Sequence, residues 1–190
     1  MGWPEAMDEL ETKLRGWWRG TYRTLDNVPF FRLQYPPTQE REALRQFSLL
    51  ADRLRAQGFP VQCISLTDVL RNTMQQLTNA KDDLSKALCS LETSRERIEL
   101  QGQLSELLAE ELPQVLCTHL VSRPRNSAVI LLRFGALYPF VRSSTLLSRL
   151  ENRVRCAVVL PYPGTTLGAV LDVPEGPHVG YYRGEIIAWR

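Results

Sequence analysis

Lysine is nearly absent from this chain. Lys13, Lys81 and Lys86 are the whole complement of 190 residues, and none follows residue 90. That scarcity decides the first question the sequence raises. The stretch "CAVVLPYPGTTLG", Cys156 to Gly168, has the outline of a strand leading into a phosphate-cradling loop. A phosphate loop of the form G-x-x-x-x-G-K-[ST] wraps backbone N–H groups around the phosphates and sends a lysine to the β and γ oxygens. Here Gly164 and Gly168 are separated by three residues with no lysine after them, and Leu167 and Ala169 fall where polar atoms are needed. No G-x-G-x-x-G occurs either. A phosphate-loop ATPase is excluded, and the stretch reads as a buried strand ending in a Tyr-Pro-Gly turn.

Other chemistry is equally sparse. His119 and His178 are the only histidines, and neither stands at a metal-ligand spacing. Cys117 and His119 share one face of a strand or splay apart on a helix, and a nucleophile pair also needs a base oriented from elsewhere. The four cysteines, Cys63, Cys89, Cys117 and Cys156, form no C-x-x-C pair. Cys63 and Cys156 read as small buried hydrophobes. There is no G-x-S-x-G, and Asp172 and Glu175 flank a Pro-Gly turn. The residues support neither catalysis nor a bound metal or cofactor.

Long apolar runs are missing too. None approaches the roughly 20 residues of a membrane span. The first residues, "MGWPEAMDELETKLRG", are acidic and lack the apolar core of a secretory leader. The cytoplasm is the expected compartment, where disulfides are not expected. Lys+Arg 23 against Asp+Glu 21 leaves +2, so bulk charge argues for neither nucleic acid nor membrane. A local patch can still hide in a balanced total.

What is present is an α/β pattern. Met7, Leu10, Leu14 and Trp17 recur at helical spacing, so residues 1–27 read as a helix and connector. Residues 28–190 read as a single α/β domain, a mostly parallel sheet flanked by helices. "VPFFRLQYPP" is a short strand closed by Pro36-Pro37. A helix follows, capped by Thr38 and ended by Gly58, and "PVQCISL" is the next strand. This βαβ unit predicts a parallel pair. Residues 67–112 form a helical insertion, capped at Thr67-Asp68, built as a hairpin or three packed helices and ending at Pro113. "SAVILLRFG" and "RCAVVLP" are buried strands around a short helix capped by Ser143 or Ser144. "VGYYRGEIIAW" supplies one or two more strands, broken at Gly184.

Two surfaces stand out as sites. Gly135 opens a turn at the carboxyl end of a parallel strand, where α/β sheets place ligand crevices. Tyr138, Arg142, Ser143 and Ser144 follow, and Arg142 beside a helix N-terminus suits a carboxylate or phosphate. Trp17 and Trp18, together with Arg95 in the insertion, are candidates for an interaction surface. Packing of the tryptophans on the domain is the competing reading.

The segment "GALYPFVRSSTLLSRLENRV", followed by "VVLPYPG" and "YYRG", resembles the BrxB family of the BREX (bacteriophage exclusion) defence systems. "VPFFRLQYPP" and the helix after it resemble the opening of that family, so the likeness runs from about Pro29 to Trp189. Gly135, Tyr138, Pro139, Arg142, Leu146, Leu147, Tyr162, Pro163 and Gly164 fall on family positions. The resemblance implies a non-catalytic adaptor of an anti-phage complex. Its implied partners are a PglZ-type alkaline-phosphatase-like protein, a large ATPase and a DNA methyltransferase, and its implied role is to support host DNA methylation and phage exclusion. Two alternatives come from the residues themselves. One is a nucleotide- or anion-sensing domain using Arg142. The other is a DNA-binding accessory subunit using Arg123, Arg125, Arg133, Arg142, Arg149, Arg153 and Arg155. A run of surface arginines is more often a solvated face, so direct DNA binding is the lesser expectation.

Overall fold

The computed structural model describes residues 2–24, 26–80, 83–94, 96–164 and 183–187. In chain order these form α1 (Trp3–Arg19), β1 (Phe30–Tyr35), α2 (Glu40–Ala56), β2 (Val61–Ser65), α3 (Leu66–Leu77), α4 (Leu84–Ser94), α5 (Arg97–Val121), β3 (Ala128–Leu132), α6 (Ser143–Leu150), β4 (Ala157–Pro163) and β5 (Glu185–Ile187). Five parallel strands make one sheet in the order β2-β3-β4-β1-β5. The fold is α/β, with helices on both faces.

β3, AVILL, and β4, AVVLPYP, are apolar because both of their faces are covered. Alternate side chains sort by face. Phe30, Val129, Leu131, Val158 and Leu160 pack with α3, α5 and α6. Phe31, Leu33, Ile130, Val159 and Ile187 pack with α1 and α2. The amino-terminal helix therefore shares the core of the α/β domain. Its Lys13 donates to the Glu185 carboxylate, which ties α1 to the edge strand β5. Arg53 of α2 reaches Glu11 of α1 at 3.0 Å.

Three expectations are corrected here. β1 and β2 are parallel but not neighbours, since β4 and β3 lie between them. The chain crosses under α2 to the far edge and then builds back toward the middle, and such an order is invisible to local pattern. Thr38 does not cap α2: it lies in a one-turn 3₁₀ helix, Pro37–Gln39, and no side chain caps the α-helix that follows. α3 is capped two residues before Thr67, by Ser65, whose Oγ accepts the Asp68 N–H at 3.4 Å.

The insertion consists of three helices, and the last runs straight through Pro113 to Val121. An interior proline costs a helix about 3 kcal/mol, through a lost N–H and a ring clash. Leu108, Leu112, Leu116 and Leu120 are all fully buried against the sheet. Burying each contributes about 1.5–3 kcal/mol, so the apolar stripe outweighs the proline. Pro113→Ala is accordingly expected to stabilise the protein by about 1 kcal/mol, the helix gain minus roughly two buried methylenes. Urea unfolding checks it, and a loss of stability would show that the ring itself is needed.

Candidate functional site

The carboxyl edge of the sheet gathers the residues that the sequence singles out. β3 ends at Leu132, and Arg133 turns the chain in a left-handed conformation at φ 61°. A short 3₁₀ helix, Phe134–Leu137, buries Phe134 and Leu137. The Tyr138 N–H donates to the Gly135 carbonyl at 3.2 Å, the Tyr138–Pro139 peptide is cis, and the Val141 N–H donates to Leu137 at 2.8 Å. α6 then begins with Arg142, not a serine, at the cap position; Ser143 is already buried in the first turn. Leu146, Leu147 and Leu150 anchor the helix in the core.

These residues meet the end of β4. The Phe134 and Tyr162 rings stand 5.9 Å apart. Gly135 lies against Pro163: a Cβ there would come within 3.3 Å of the Pro163 ring. The Gly164 N–H donates to the Tyr35 carbonyl at 3.0 Å, locking the turn to the neighbouring strand β1. Gly135, Tyr162, Pro163 and Gly164 are thus one packing module. Tyr138, Pro139 and Arg142 are exposed, Tyr138 at 74%, so they present a surface instead of joining that module. Ser144 is half-buried. Thr165 and Thr166, Asp172 and Glu175, and His178 lie outside the described residues.

The other candidates separate cleanly. Trp17 is buried, edge-on to Phe31 at 6.1 Å, and half-buried Trp18 stacks on Phe59 at 4.2 Å. The pair packs α1 onto the domain and is not an exposed handle. Arg95 lies outside the described residues. Cys117 and His119 sit on α5 with the thiol buried and the imidazole exposed, so they splay. Burial pushes the Cys156 thiol up to about 11, holding it protonated, the reverse of an activated nucleophile. Among the described residues no group of three His, Cys, Asp or Glu side chains is arranged to hold a metal. No described helix is long and apolar enough to cross a membrane.

The helical insertion, an expected contact surface, has apolar members left uncovered that the sequence does not single out. α3 and α5 lie in the core, but α4 rides outside them, with Leu84, Leu88 and Leu91 only partly covered. A cleft of about 440 Å³ opens there, lined in part by Leu77, Leu91, Leu100, Leu104 and Leu107. Ile98 is 86% exposed on the same helix as Leu107, which is 47% exposed. Leucines in a helical window give no sign of which are left uncovered when a neighbouring helix packs loosely.

An open parallel α/β domain with three inserted helices and a Gly/Tyr-Pro-Gly packing module at its carboxyl edge is the class these features define. Residues 63–185 match the family described as BREX protein BrxB, and the chain belongs to that family. The matched span runs from β2 to β5 and takes in the insertion and the whole packing module. It leaves out α1, β1 and α2, including "VPFFRLQYPP". No curated protein and no solved structure matches the chain. Family membership places the chain in BREX phage defence.

Proposed function

We propose that the chain is a non-catalytic adaptor of BREX defence, docking a PglZ-type alkaline-phosphatase-like partner through its inserted helices. In that role it supports host DNA methylation and phage exclusion beside the system's ATPase and DNA methyltransferase. The observation that carries the reading is the apolar cleft between α4 and α5, with Ile98 and Leu107 exposed on the helix that forms one wall. Covering Ile98 contributes about 1.5–3 kcal/mol and covering the half-exposed Leu107 about half that, enough to dominate a modest interface.

The test is co-purification with a PglZ-type protein after nuclease treatment, followed by titration at micromolar concentration. The double variant Ile98→Arg/Leu107→Arg is expected to lose association at least tenfold while its melting temperature stays unchanged, because neither side chain is in the core. Failure of the native chain to associate, or unchanged association of the double variant, would overturn the docking surface.

A further inference from the structure

The arginines of the carboxyl-terminal half do not form one face. Arg133 and Arg142 lie at the carboxyl ends of the strands, whereas Arg123, Arg125, Arg153 and Arg155 lie at the opposite, amino-terminal side, on the segments that lead into β3 and β4. There they line a single cleft of about 860 Å³ with Arg23, which comes from the segment between α1 and β1. Three chain segments, distant in sequence, thus bring five guanidinium groups to one place, and no carboxylate among the described residues lines the cleft.

Two of the five are held in place. Arg123 donates to Gln62 and, at 3.3 Å, to the His119 carbonyl. Arg125 lies over the Trp17 ring, 5.2 Å from its centroid, and the indole Nε1 beneath has no hydrogen-bond partner among the described residues. Arg23, Arg153 and Arg155 are exposed and have no ion-pair partner among the described residues. The nearby carboxylates Asp26 and Glu151 are already occupied, both by Arg183. The C-termini of α1, α5 and α6 point toward this side, and each brings about −0.5 of a charge. Even three helix ends leave most of the five positive charges uncompensated, so bracing of helix termini does not account for the cluster.

We infer that this cleft binds the phosphate backbone of DNA. A single small anion calls for buried donors converging on one point, whereas these guanidinium groups are mostly exposed and spread around a wide opening. Successive phosphates of a polyanion match that spread, and the guanidinium fork suits each of them. Trp17 is buried under Arg125, so among the described residues lining the cleft no aromatic face is left on which a base could stack. Recognition runs through the backbone and is independent of sequence. The inference does not rest on partner docking, which uses the inserted helices at a different surface.

The experiment is fluorescence anisotropy of the purified chain with a mixed-sequence DNA duplex of about 30 base pairs across a salt series. Five contacts predict a log–log salt slope of about −4.5, a roughly 500-fold loss of affinity between 50 and 200 mM salt. Arg153→Ala/Arg155→Ala should reduce that slope by about 2, and Arg23→Ala, on a separate segment, by about 1. Both variants alter exposed, unpaired side chains, and circular dichroism confirms that they fold. Arg41→Ala/Arg71→Ala removes the same charge elsewhere and should leave the slope unchanged. Absence of binding at the lowest salt, equal weakening by the control pair, or equal competition from polyglutamate of the same charge would each overturn the inference.

Discussion

Leu108→Ala should cost the protein about 3 kcal/mol, while Leu107→Ala next to it should cost no more than about 0.5 kcal/mol. Adjacent positions on a helix point about 100° apart, and here that rotation spans the whole difference between core and surface. Leu108 is fully buried on the stripe that continues through Leu112, Leu116 and Leu120. Truncating it removes three carbons and leaves a void between α5 and the sheet, where neighbours fixed in parallel strands have little room to relax. In a chain of this size that loss lowers the melting temperature by roughly 6–12 °C. Leu107 borders the cleft under α4 and is 47% exposed, so its truncation is felt mainly by whatever occupies that cleft. Thermal unfolding of both variants checks the pair. Similar losses would mean that the cleft is closed in solution and that Leu107 is a core residue.

The same contrast explains how far the sequence could be read. β3 and β4 were legible because strands buried on both faces are continuous apolar runs: "AVILL" and "AVVLP" are too short for a helix and are bounded by turn residues. Their order was not, because β1 and β2 are joined by a helix of ordinary length whether or not two strands separate them. Proline misled at position 113, where a local rule yields to four buried leucines. The packing module was half-legible. Gly135 and Pro163 were each singled out, yet they touch only because β3 and β4 lie side by side, a contact that no spacing rule supplies. The arginine cleft is the extreme case. Its members come from three connections whose ends coincide only once the sheet is assembled. Charge distribution along the chain could give their number and not their convergence.

Gly184→Ala should cost about 2–4 kcal/mol, because it meets both a backbone conformation and a backbone neighbour that oppose a side chain. Gly184 has φ 93°, a conformation that L side chains rarely adopt. Its neighbours add a second penalty: a Cβ would stand 2.8 Å from the Phe30 carbonyl oxygen and 2.9 Å from the Phe30 Cβ. Phe30 cannot move aside, since it is fully buried and paired with Val158 on the far side of β1. The Gly184 N–H also donates to Asp26 Oδ2 at 2.8 Å, so backbone movement sacrifices that bond. The strain falls at the start of β5, and β5 should separate from β1 before the rest of the sheet yields. Amide hydrogen exchange at Glu185–Ile187 should therefore accelerate more than exchange in β3. Gly102→Ala supplies the opposite sign. Gly102 lies within α5 with nothing within 4 Å of the added carbon, and the substitution should stabilise by up to about 1 kcal/mol. Equal tolerance of both alanines would show that β5 is not held against Phe30 as the structure has it.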